Sequence, residues 1–218
     1  MPRNARALRA VLFDWDGTLL DSADASFRCY QRLFTPFGID FTQEVFARTY
    51  APDWYRTYEG IGLPRERWPE ADARWLEIYA EESCALRPGT AEALARIGSA
   101  GVLAGLVTSG SRARVETELS RLGISAAFST VVCGEDARQK KPNPEALRTA
   151  LTWLRIPAAE AAYVGDSPED IEMARAAGVF AVGLEGGFPN AEALMRSEPD
   201  ALAGDLTEAV DIVLARSE

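Results

Sequence analysis

Asp14 and Asp16 stand two residues apart, just past an apolar run of Leu8, Ala10, Val11, Leu12 and Phe13 that reads as a fully buried strand. Gly17 follows, marking a sharp exit from that strand, since glycine accepts backbone angles that other residues resist. Two carboxylates at the end of a strand can hold a divalent cation, and one of them can act as a nucleophile. In an open parallel sheet, ligands bind where the strands end. An ordinary turn with surface aspartates is the competing reading, and the rest of the chain must decide between them.

Composition narrows the chemistry. The 218 residues contain no histidine, which excludes Ser-His and Cys-His catalytic pairs and any histidine metal ligand. Of the 23 basic residues only Lys140 and Lys141 are lysines. A Lys-Lys pair beside Pro142 therefore stands out, as a phosphate contact or as chance in a surface loop. The net charge of −10 argues against nucleic acid or an anionic membrane as partner, so an anionic substrate must be drawn in by a local positive site. Cys29, Cys84 and Cys133 lack metal-ligand spacing and read as reduced thiols. The start, Met1 to Arg6, is basic, but Asp14 cuts the apolar stretch behind it too early for a signal peptide or a membrane span. The expected location is the cytoplasm.

The elements that must position these residues follow from periodicity. Beyond Gly89, helical patterns at 91–100, 112–122, 144–154, 168–177 and 206–215 alternate with buried strand patterns at 102–108, 130–133, 161–164 and 179–182. Alternation of this kind predicts a parallel sheet covered by helices on both faces. Residues 19–86 break the rhythm. They are rich in aromatics and carry the helical stripe Ala23, Phe27, Tyr30, Phe34 and Phe37, with a later helix opening near Pro69. The stripe reads as the core of a small helical unit, not as a cofactor box. The expected division is a catalytic core of 1–18 and 87–218 with a helical cap of 19–86, attached so that it can hinge over the site and exclude water.

The string Phe13-Asp14-Trp15-Asp16-Gly17-Thr18, the strand ending Val107-Thr108-Ser109-Gly110, Lys141-Pro142, and Gly165-Asp166 followed by Asp170 occur in one order. In that order the chain resembles the haloacid dehalogenase superfamily of phosphatases, in particular the phosphoglycolate phosphatase-like group with a helical cap after the first strand. The resemblance implies an α/β fold, a Rossmann-like doubly wound parallel sheet with an inserted α-helical cap. It implies Asp14 as the nucleophile that becomes an aspartyl phosphate and Asp16 as the general acid and base. Thr108, Ser109, Gly110 and Lys141 would bind phosphate, with Lys140 the alternative should the register slip by one. Mg²⁺ would be held by the Asp14 side chain, the Asp16 backbone carbonyl and Asp166, with Asp170 in support. Asp166 could equally be the N-cap of the helix at Pro168.

The expected function is Mg²⁺-dependent hydrolysis of a small phosphomonoester, phosphoglycolate or another phosphorylated metabolite. Dehalogenase relatives lack the second acid, which is present here as Asp16. Phosphonate-cleaving relatives need a cap lysine and β-phosphoglucomutase-like ones cap His and Lys residues, and residues 19–86 contain neither. A sugar-phosphate mutase, a receiver-like signalling module and a non-catalytic scaffold are the alternatives. A second anion on the substrate would need a cap arginine. Arg48 and Arg56, in the stretch 48–62, are the candidates, unless both lie on solvated faces. A monomer and a homodimer are both compatible with the sequence.

Overall fold

A computed structural model describes residues 7–217; the basic start, Met1 to Arg6, lies outside the described residues. The chain forms β1 (Ala10–Phe13), α1 (Ala23–Phe34), α2 (Gln43–Thr49), α3 (Trp54–Gly60), α4 (Trp68–Tyr79), α5 (Thr90–Ser99), β2 (Leu103–Val107) and α6 (Arg112–Arg121). It continues through β3 (Thr130–Val132), α7 (Glu145–Leu154), β4 (Ala161–Gly165), α8 (Pro168–Ala177), β5 (Phe180–Leu184), α9 (Ala191–Arg196), β6 (Ala201–Ala203) and α10 (Leu206–Leu214). The six strands lie in the order β3-β2-β1-β4-β5-β6, and every pairing is parallel.

Because side chains alternate along a strand, β1 feeds two cores. Val11 and Phe13 join one cluster with α5, α6 and α10, while Ala10 and Leu12 join the other with α7 and α8. Both faces of the sheet are thus covered, which is why its strands read as unbroken apolar runs. β1, with neighbours on both sides, is central, and its end is a topological switch point.

Helices α1 to α4 form an insert between β1 and α5. Its entry and exit are tied together: Asp21 N–H donates to Ala85 O at 2.9 Å and Arg87 N–H to Leu19 O at 2.9 Å. α1 packs on α4, and the aromatic stripe fills the space between, with Tyr30 stacked on Phe34 at 5.5 Å and Phe34 against Phe41 at 5.0 Å. The insert also contains α2 and α3, which periodicity did not predict. Each has seven residues, too short to display a repeat. They are set by local caps, Thr42 accepting from Val45 N–H at 3.2 Å and Asp53 from Tyr55 N–H at 3.3 Å. The short elements α9 and β6 are likewise additions to the predicted pattern, and β5 begins later than 179 and runs to Leu184.

Candidate active site

Residues distant in sequence meet where β1, β2 and β4 end. Asp14 and Asp16 follow β1, Thr108, Ser109 and Gly110 follow β2, and Asp166 follows β4; all border a cavity of about 370 Å³. Lys141 enters from the loop before α7, and the insert supplies the opposite wall. Thr108 Oγ1 accepts from Gly110 N–H at 3.0 Å, which holds the turn after β2 tight.

Lys141 is the hub of the charges. Its buried ammonium donates to Asp14 Oδ1 at 2.5 Å, Asp170 Oδ1 at 2.7 Å and the Tyr163 hydroxyl at 2.9 Å, one acceptor for each proton. The Tyr163 hydroxyl also lies 3.0 Å from Val107 O and 3.0 Å from Asp170 Oδ1. Sequence reading placed Tyr163 only as a strand residue. Burial works against the charge of Lys141, but the Asp14 and Asp170 carboxylates outweigh it and raise its pKa. Burial pushes Asp14 up to about 7, opposed by Lys141 and reinforced by Asp170. Lys140 points elsewhere, its Nζ 3.1 Å from the centre of the Trp54 ring and 3.9 Å from Asp53 Oδ1. Between the two lysines, Lys141 is therefore the one that reaches Asp14.

Asp166 is the third acid. Thr18 donates to its Oδ1 at 3.3 Å and Asn190 to its backbone carbonyl at 3.0 Å. Its Oδ2 is buried with no hydrogen-bond partner. Burial, then the charges of Asp14 and Asp170, push its pKa well above the carboxylate range. Oxygens of Asp14, Asp166 and Asp170 lie within 4.8 Å of one another. A hard oxygen set with one orphaned buried oxygen fits a divalent cation such as Mg²⁺. Two glycines keep that oxygen clear: a Cβ on Gly17 would sit 2.2 Å from it and one on Gly186 2.3 Å. Gly17 also has φ +78°. The capping role belongs to the next residue. Ser167 is the N-cap of α8, its hydroxyl accepting from Asp170 N–H at 3.2 Å while Asp170 Oδ2 accepts from Ser167 N–H at 3.2 Å.

Asp16 is gripped by Arg114, a residue that motif reading passed over. Nη1 donates to Oδ1 at 3.0 Å and Nη2 to Oδ2 at 2.5 Å. Burial raises the pKa of Asp16, but this bidentate contact prevails and lowers it. The available signal was the Arg114–Glu118 spacing of four on the helix that follows the Thr108 turn. Arg48 and Arg56 are both exposed and do not border the cavity; Arg56 reaches Glu169 at 3.6 Å. The insert instead presents aromatic rings there, among them Tyr30, Tyr50, Trp54, Tyr58 and Trp75. Tyr50 stacks on Phe188 of the sheet unit at 4.4 Å, so the two walls touch beside the acids.

The chain is similar to known proteins in sequence and fold. Residues 11–184 match the family model for haloacid dehalogenase-like hydrolases. A phosphoglycolate phosphatase of Yersinia pestis is 33% identical over 205 residues, covering 89% of this chain and 88% of that protein. The solved structure of CbbY from Rhodobacter sphaeroides, in complex with phosphate, is 26% identical with a TM-score of 0.70, covering 92% of this chain and 96% of that one. A haloacid dehalogenase-like family hydrolase of Streptococcus pneumoniae shares the fold at 19% identity and a TM-score of 0.82, over 94% and 98% of the two chains.

Proposed function

The chain belongs to the haloacid dehalogenase-like hydrolase family, and on that premise we propose that it is a Mg²⁺-dependent phosphatase of small phosphomonoesters, working through an aspartyl-phosphate intermediate. The observation that carries the reading is Asp14 itself, a buried carboxylate held 2.5 Å from a buried lysine at the mouth of a cavity ringed by acids and a hydroxyl-bearing turn. Asp14 attacks phosphorus and the ester bond breaks; Asp16, ionised while Arg114 grips it, takes a proton from solvent as it turns away to the ester oxygen and gives that proton to the departing alkoxide. Asp16 then takes a proton from the water that attacks phosphorus, and the Asp14 carboxylate is released with inorganic phosphate. Lys141 steadies Asp14 and the phosphoryl charge; Thr108, Ser109 and Gly110 offer a hydroxyl and N–H groups to the other phosphate oxygens. The Asp14 and Asp166 carboxylates with the Asp16 carbonyl would hold Mg²⁺, with Asp170 fixing Lys141 and the start of α8. The metal would supply charge neutralisation to the phosphate.

Residues 19–86 serve as the cap over a core made of 1–18 and 87–218. The substrate is a phosphorylated metabolite of the size of phosphoglycolate or somewhat larger. Three cysteines that are buried and unpaired support a reducing, cytoplasmic location. Among the described residues no helix is long and apolar enough to cross a membrane. Phosphate release from p-nitrophenyl phosphate and phosphoglycolate with Mg²⁺ tests the reading. Asp14→Asn should remove turnover and leave the melting curve cooperative; near-normal turnover by that variant would sink the covalent mechanism.

A further inference from the structure

Among the described residues, the cations bordering the cavity are Lys141 and Arg114. The three protons of Lys141 are taken by Asp14, Asp170 and Tyr163, whereas the chemistry proposed above gives Arg114 no task. Arg114 stands near the start of α6 with its side chain 13% exposed. Behind it, Glu118 contacts Nη1 at 3.3 Å and is itself pinned by the indole N–H of Trp15 at 2.6 Å. The Tyr79 hydroxyl lies 3.3 Å from the same Nη1. In front, the fork faces Asp16. Its Nη2 also rests against the turn after β2, where a Cβ on Gly110 would lie 2.4 Å away.

We infer that Arg114 is a specificity-determining residue that receives a carboxylate carried by the alcohol part of the substrate, close to the ester oxygen. The inference rests on the phosphomonoester reading above. With phosphate at Thr108 to Gly110 and Asp16 at the ester oxygen, the first carbons of the leaving alcohol would face the Nη2 edge of Arg114, which borders Gly110. Asp16 already occupies the fork in bidentate fashion, so a carboxylate fits there. When the Asp16 side chain turns to the ester oxygen, a substrate carboxylate takes its place, and Glu118 keeps the guanidinium from following. Among the described residues the insert's side of the cavity offers rings, Ser26 and an Asp72 carboxylate already held by Trp54 and Tyr55, and no competing cation. A neutral alcohol of equal length has nothing to exchange for Asp16 and leaves the fork closed on it. The substrates favoured are thus phosphate esters of short alcohols that carry a carboxylate.

The test compares phosphoglycolate with 2-hydroxyethyl phosphate, its neutral counterpart of similar length, using p-nitrophenyl phosphate as a control. The wild type should favour phosphoglycolate in kcat/KM. Arg114→Gln should lower that preference by about 10- to 100-fold, the range expected for a charge-assisted contact. Arg114→Lys should restore part of it. A ratio unchanged by Arg114→Gln overturns the assignment. Should that variant fail to fold, the wild type alone decides: 3-phosphonopropionate should inhibit at least tenfold more tightly than propylphosphonate, and equal inhibition overturns the proposal. Wild-type protein that releases phosphate from none of the esters overturns the phosphatase reading itself. Turnover with an unchanged ratio overturns only the role of Arg114.

Discussion

With divalent metal removed by EDTA, folding stability should fall as pH rises from about 5 to about 8, the reverse of ordinary acid denaturation. Asp14 keeps its proton in the folded chain up to about pH 7, against 3.8 for an unperturbed aspartate, because burial penalises its charge. Asp166 is displaced the same way, by burial and by the charges of Asp14 and Asp170. Between the two values the folded state holds protons that the unfolded chain has released, so raising pH favours unfolding. At about 1.36 kcal/mol per unit, Asp14 alone is worth about 4 kcal/mol once pH passes its folded value. In a chain of this size that is about 10 °C of Tm. Groups of opposite character act outside the window. Burial raises Asp16 but Arg114 lowers it further, so its contribution is lost only as pH falls below the ordinary carboxylate range. Lys141, opposed by burial and held up by Asp14 and Asp170, loses its contribution only as pH rises above the ordinary lysine range. Mg²⁺ at the proposed site would bind the carboxylates in their ionised form, so the gap in Tm between Mg²⁺ and EDTA should widen with pH. Thermal melts followed by circular dichroism across this range measure it. A metal-free Tm that stays level or climbs between about pH 5 and 8 would refute the reasoning.

Lys141→Met should abolish turnover and cost about 3–5 kcal/mol in urea unfolding, since it strands Asp14 and Asp170 as buried unpaired acids; a loss of activity without destabilisation would contradict the hub. Gly186→Ala should raise the Mg²⁺ concentration needed for half-maximal activity by at least tenfold, because its Cβ would sit 2.3 Å from Asp166 Oδ2. An unchanged Mg²⁺ titration would place the metal elsewhere. Tyr163→Phe should cost about 1–3 kcal/mol by leaving the Val107 carbonyl and one proton of Lys141 without a partner. Equal stability of the two proteins in urea would mean that the hydroxyl is not part of the network.

The sheet was legible because its central strands β1 and β4 are buried at every residue, so that composition alone marks them, and because glycines such as Gly101, Gly123 and Gly178 end the helices in the left-handed region. What escaped was short or edge-placed. β6 has three residues and pairs on one side only, and α2 and α3 are held by caps and aromatic packing in place of a repeat. The acids were legible for a different reason. Three of them, Asp14, Asp16 and Asp166, are fixed within a few residues of a strand end, and a parallel sheet sends all such ends to one edge. Tyr163 illustrates the limit: an apolar run hides the one hydroxyl that must find a partner in the core, and only the crossing from β4 to β2 supplies Val107 O.

Specificity was the least legible property, and the reason is topological. Arg48 and Arg56 share the insert with the aromatic wall, but a helix shows solvent one face for each face it buries, and both arginines fall on the solvent side. Arg114 comes from the sheet's own α6, in the first turn after the proposed phosphate-binding residues. Val115 and Leu119 bury that helix, and this places the neighbouring Arg114–Glu118 edge against Asp16 and Trp15. A charged pair spaced by four usually marks a solvated helix face. Here the pair lies under the insert, and the burial that hides it is what makes its charge effective. On the roles proposed above, the residue that would read the substrate belongs to the same sheet unit as the proposed nucleophile Asp14, so a movement of the proposed cap would leave Arg114 in place relative to Asp14.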